Sequence, residues 1–125
     1  MTENELSKVV FDSALKVHKA LDPGLLESAY EECLFYELKK TGLWVEKQKP
    51  IPLIYEEVKL EVRYRADIIL ENKLVIEGKA VDELNDIHLA QILTYLKLTH
   101  CKLGLLINFN VLLIKNGIKR VVNHL

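Results

Sequence analysis

The chain has 125 residues, of which 50% are apolar and 28% charged, with a net charge of −1. That length suits a single domain spanning 1–125 with one core, the composition excludes a disordered or fibrous chain, and the charge gives no basic signature for nucleic acid. No apolar stretch reaches the length of a membrane span and no secretory leader is recognisable, so the expected location is cytoplasmic, with no membrane partner.

In chain order, Leu6, Val10, Ala14, Val17 and Leu21 recur at helical spacing, and Thr2 with Glu5 offers a capping box before them. Asp22-Pro23-Gly24 ends that helix in a turn. A second helix is predicted from Leu25 to Thr41, with Leu26, Tyr30, Cys33, Leu34 and Glu37 toward one side and Gly42 as its stop. Glu27 falls in the first turn of that helix, where a carboxylate suits the macrodipole, and its sector points toward the interior. Cys33 and Cys101 are the two cysteines, without CxxC spacing, so free thiols are expected and zinc is not.

The period then changes. Two short strands, Leu43 to Lys49 and Ile51 to Tyr55, are expected, with Pro50 and Pro52 favouring an edge or bend. Val58, Leu60, Val62 and Tyr64 alternate with Lys59, Glu61, Arg63 and Arg65, predicting a half-exposed strand. It runs on through Ala66 to Leu70, turns at Glu71-Asn72-Lys73, and returns antiparallel as Leu74 to Val81. A third helix is predicted over Asn85 to Thr99, and further strands over Lys102 to Asn108 and Val111 to Lys115, with a short element after Gly117. The local basic clusters, Lys39-Lys40, Lys47 with Lys49, Arg63 with Arg65, and Lys119-Arg120, read as solvated surface. The element order implies an α/β (α+β) layer fold with a mixed sheet flanked by helices.

The anomaly lies in the apolar strands. Glu77 and Lys79 sit two apart within V-I-E-G-K-A-V and so project from one side, and Asp67 stands in the apolar strand expected to pair with it. Buried charges are costly unless they pair, neutralise or hold a metal. An isolated E-x-K is a salt bridge by default; two acids and a base on adjoining strands point instead to a divalent-metal site with hard oxygen ligands suited to Mg²⁺ or Mn²⁺. On the third helix Leu89, Ile92, Leu93 and Leu96 form the expected core stripe, and His88, Gln91 and Tyr95 a polar stripe beside it. For His88 alone an ordinary helix flank is the default.

Gly24-Leu25-Leu26-Glu27-Ser28-Ala29-Tyr30 resembles the signature of the small GxxExxY proteins. The resemblance continues through Tyr64-Arg65-Ala66-Asp67, Glu77-Gly78-Lys79-Ala80-Val81, the helix from His88 to Lys97, and Gly104 to Phe109, covering nearly the whole chain in order. That family is similar to a compact branch of the PD-(D/E)xK nuclease-like superfamily. The resemblance implies a restriction-endonuclease-like core and metal-dependent phosphodiester hydrolysis; the expected substrate is DNA, ahead of RNA. It implies Asp67 and Glu77 as metal ligands, the Gly78 carbonyl completing the shell, and Lys79 positioning the attacking water. Glu27 would hold a second metal or its water, and Gln91 and Tyr95 match a Q-x-x-x-Y helix that holds the phosphate or catalytic shell. A glycine at position 78 departs from the usual apolar residue and should weaken local packing. A homodimer is compatible with the sequence, and the alternative function is a non-catalytic nucleic-acid-binding or protein-interaction module that keeps the charges as a structural network.

Overall fold

The computed structural model describes the backbone of residues 1–125 and the side chains of all but residues 61–63. The elements, in order, are α1 (Glu3–Leu21), α2 (Glu27–Lys39), β1 (Val45–Tyr55), β2 (Val58–Leu70), β3 (Leu74–Lys79), α3 (Asp86–Thr99), β4 (Leu103–Asn108), a 3₁₀ turn at Ile114–Asn116 and β5 (Ile118–Val122). The strands form one five-stranded sheet in the order β1-β2-β3-β4-β5. All neighbours are antiparallel except β3 and β4, which run parallel because α3 carries the chain across the sheet between them.

Strand alternation gives the sheet two apolar faces. Ile68, Leu70, Leu74, Ile76, Leu103, Leu105 and Ile107 bury against Leu6, Val10, Ala14 and Val17 of α1 and Tyr30, Leu34 and Leu38 of α2. Ala66, Ile69, Val75 and Leu106 bury against Ile92, Tyr95 and Leu96 of α3. Gly104 lets α3 approach β4 this closely, since a Cβ there would stand 2.9 Å from Ile92 Cδ1. Both capping boxes are formed. Thr2 and Glu5 cap α1, and Asn85 caps α3 with His88 as its reciprocal partner. His88 is therefore a capping residue, its Nδ1 accepting from the Asn85 N–H at 3.2 Å.

Several sequence expectations are corrected. The two short strands at 43–49 and 51–55 are one edge strand, because Pro50 keeps its place opposite Arg65 and the irregularity is confined to the step between Ile51 and Leu53. Val111 to Lys115 is not a strand. Leu112 and Leu113 are exposed there, the Val111 carbonyl accepts from His18 Nε2 at 2.6 Å, and the last strand starts at Ile118. That apolar run had no period to separate strand from loop. The second helix starts at Glu27, leaving Leu26 exposed, and buries Tyr30, Leu34 and Leu38, whereas Cys33 and Glu37 are half-buried. On the third helix Tyr95 belongs to the core, while Leu89 and Leu93 are half-buried. The described outer half of β2 is exposed on both faces, at Val58, Lys59, Leu60, Tyr64 and Arg65; the alternation at Glu61, Val62 and Arg63 lies outside the described side chains. Three of the basic residues are matched by acids, Lys47 with Glu32, Lys49 with Glu46 and Lys40 with Glu37. Exposed pairs of this kind contribute little stability, which fits a solvated surface.

Candidate active site

The pairing of β2 with β3 covers only Leu70↔Leu74, Ile69↔Val75 and Ile68↔Ile76. Past that point the strands part, and side chains replace the ladder. The Asp67 N–H donates to Glu77 Oε1 at 3.2 Å, and the Gly78 N–H donates to Asp67 Oδ2 at 3.0 Å. The two carboxylates are thus tied reciprocally to each other's strand at the fork. Ala66 packs in the α3-side core while Ile68, two residues on, packs in the α1–α2 core, so the alternation changes phase at Asp67. Opposite it on β1, Gln48 takes φ +51°, an unusual conformation for a side-chain-bearing residue. Gln48 Nε2 donates to Glu31 Oε1 at 2.5 Å and reaches Asp67 Oδ1 at 3.5 Å.

Burial and electrostatics set Glu77 apart. It is 4% exposed, and burial followed by the neighbouring Asp67 charge pushes its pKa up to about 9; Lys79 opposes the shift without overcoming it. Glu31 is also raised, first by burial and then by Asp67. Among the described residues no ion pair joins Lys79 to Asp67 or Glu77. The default salt bridge for E-x-K is therefore not made, and the lysine is half-buried beside acids without closing on either.

The helix-entry motif explains the placement of Glu27. Gly24 has φ +104°, which a Cβ would strain, and turns the chain after α1. The Tyr30 hydroxyl donates to the Asp22 carbonyl at 2.5 Å and accepts from the Leu25 N–H at 3.1 Å, clamping that turn. Its ring stacks on Phe109, just past β4, at 4.6 Å between centroids. The start of α2 is thereby fixed against the C-terminal ends of β3 and β4. Glu27 is exposed, not interior as its helical sector suggested, yet it lines a cavity of about 280 Å³ with Ser28, Glu31, Gln48, Asp67 and Gly78. Its Oε1 accepts from the Ala80 N–H at 3.3 Å. At the end of β4, Asn108 ties down the chain beyond β3, its Oδ1 accepting from the Val81 N–H at 3.1 Å and its Nδ2 donating to the Val81 carbonyl at 2.9 Å.

The sequence missed Glu31 and Gln48. Glu31 lies one helical turn after Glu27, a spacing that could have flagged it. Gln48 carried no signal, because its position depends on the β1–β2 register. Gly78 is less disruptive than expected, since a methyl group there would make an ordinary 3.7 Å contact with Phe109.

Tyr95 is buried on the α3 face, and its hydroxyl accepts from Gln91 Nε2 at 3.1 Å. No hydrogen bond joins this pair to Asp67, Glu77 or Lys79 among the described residues, but Tyr95 is raised in pKa by burial first and the Glu77 charge second. Tyr95→Phe removes one hydroxyl, so stability should fall by no more than roughly a hydrogen bond's worth, about 1 kcal/mol, and the melting temperature should hardly move. A fall in turnover at that near-constant stability is expected; loss of stability with turnover per folded molecule intact would make Tyr95 purely structural.

The donor set fits a hard cation. Two carboxylates converge, while among the described residues no group of three or more His, Cys, Asp or Glu side chains is gathered into a cage. That arrangement suits Mg²⁺ or Mn²⁺, which take one or two carboxylates and fill the remaining positions with carbonyls, waters and substrate phosphate. It does not suit structural zinc.

A family model of the PD-(D/E)XK nuclease superfamily matches residues 4–121. The chain belongs to the PD-(D/E)XK nuclease superfamily. Searches of curated proteins and of solved structures found no match. The mixed sheet flanked by helices agrees with the PD-(D/E)XK core. Among the described residues no helix is long and apolar enough to cross a membrane.

Proposed function

We propose that this PD-(D/E)XK protein is a metal-dependent nuclease of the GxxExxY type that hydrolyses phosphodiester bonds, with DNA ahead of RNA as its substrate. The observation that carries the reading is the reciprocal tie of Asp67 and Glu77 at the β2–β3 fork beside a lysine that pairs with neither. Asp67 and Glu77 would hold Mg²⁺ or Mn²⁺, and the Gly78 carbonyl would add a neutral donor. A cation held there would supply Lewis-acid chemistry, polarising the phosphate and making a water more acidic. Lys79 orients the attacking water and offsets charge developing on the phosphate. Glu27, which lines the same cavity as Asp67, would bind a second cation or its water. Gln91 and Tyr95 orient the phosphate from the α3 face.

Metal and pH should act together on stability. Glu77 has a pKa of about 9 in the folded protein against 4.5 in an ordinary setting, so the folded state keeps a proton that the unfolded chain releases. Its contribution is fully present in acid and is lost as pH rises through that window, at up to about 1.4 kcal/mol per pH unit. The melting temperature of the metal-free protein should fall from pH 6 to pH 8. Millimolar Mn²⁺ should raise it, and more so at pH 8, because the ligand must lose its proton before it binds. A melting curve indifferent to Mn²⁺ at both pH values would favour the non-catalytic module.

A further inference from the structure

α3 and the β1–β2 hairpin line a second cavity of about 400 Å³, separate from the one at Asp67, that shares only Gln91 and Tyr95 with the proposed hydrolytic site. Its walls are mostly apolar, from Leu53, Tyr64, Ile87 and Leu98, and Tyr95 and Gln91 close the side toward the fork. Tyr64 comes from the same β2 segment as Ala66, whose side chain lies in the α3-side core, so the phase change at Asp67 aims both toward α3. The Tyr64 ring stands at 6.3 Å and 61° to that of Tyr95, and Tyr64 is 40% exposed, so its ring is not buried against its neighbour. At the rim, the Gln91 amide gives one hydrogen bond, to Tyr95, and among the described residues its carbonyl oxygen accepts none. A flat aromatic wall and an amide with free capacity match the face and edge of a nucleobase.

We propose that this cavity takes one unpaired nucleobase of the strand being cut, so that the enzyme acts on single-stranded or frayed nucleic acid. The base stacks on Tyr64 and its edge meets the Gln91 amide. Continuity with the hydrolytic site supports that occupant: Tyr95 is shared, its hydroxyl held by Gln91 and its ionisation opposed by Glu77. A base within a duplex has both faces covered by its neighbours and cannot stack on Tyr64 unless it leaves the helix. The proposal rests on reading Asp67, Glu77 and Lys79 as the phosphate site.

The test is binding rather than cleavage, measured by fluorescence anisotropy with Ca²⁺ present. The probes are a labelled oligothymidine strand, the same strand paired with oligoadenosine, and an abasic strand of equal length. Single-stranded oligothymidine should bind roughly tenfold or more tightly than the other two. Tyr64→Ala should erase that advantage and Tyr64→Phe keep it; Ile87→Ser, at an exposed position, should weaken it without affecting folding. Equal binding of abasic and normal strands, unchanged by Tyr64→Ala, overturns the base pocket while leaving the nuclease reading intact. Failure to bind any probe overturns both. Concentration-dependent dimerisation that Tyr64→Ala abolishes would show a second copy filling the cavity, and overturns the base pocket alone.

Discussion

Replacing Lys79 with alanine should lower the rate of phosphodiester hydrolysis by on the order of a hundredfold or more, the usual cost of removing one preorganised electrostatic group. The fold should survive. Lys79 is half-buried, and its backbone carbonyl still accepts from the Phe109 N–H at 2.9 Å whatever the side chain. Metal affinity should drop only slightly, because the lysine is no ligand and its charge merely opposes the rise in the Glu77 pKa. Single-turnover cleavage at saturating Mn²⁺ separates the two effects. A variant as fast as the parent protein would remove Lys79 from the chemistry.

Asp67→Asn should act on binding instead. An amide can still accept from the Gly78 N–H, so the fork keeps its geometry. The site nevertheless loses a carboxylate, and Mn²⁺ affinity should fall at least tenfold, since even partners outside the ligand shell cost that much when removed. Glu77 loses the neighbouring charge that is the second cause of its raised pKa, so the metal-free variant should be more stable than the parent at neutral pH and its stability should depend less on pH. Titration calorimetry and metal-free melting curves read both effects. Undiminished affinity would remove Asp67 from the ligand set.

Much of this arrangement was legible in the sequence where one physical signal dominated. Leu6, Val10, Ala14 and Val17 announced α1, and the three-residue turn at Glu71-Asn72-Lys73 required β2 and β3 to pair, which brought Asp67 near Glu77. The misreadings arose where tertiary contacts decide. The run from Val111 to Lys115 is apolar without being periodic, and the His18 bond to Val111 holds it as a loop. Tyr95 carries a polar tip on a ring that α3 buries, so its hydroxyl placed it on the wrong stripe. Gln48 enters the site only through the β1–β2 register and a positive φ, and neither is encoded in nearby residues. The phase change at Asp67 is equally long-range, because strict alternation would have placed Ala66 with Ile68 and Tyr64 away from α3.

In the proposed function, Asp67 and Glu77 would hold a cation that lets Lys79 and a water cut a phosphodiester. The most direct test is cleavage of an end-labelled single-stranded oligonucleotide in Mn²⁺, in Mg²⁺ and in a chelator, comparing the parent protein with Asp67→Asn. Cleavage that appears with either metal, vanishes with chelation and is absent from the variant is the predicted result. Cleavage that persists in the chelator, or that Asp67→Asn performs as fast as the parent protein, would contradict it.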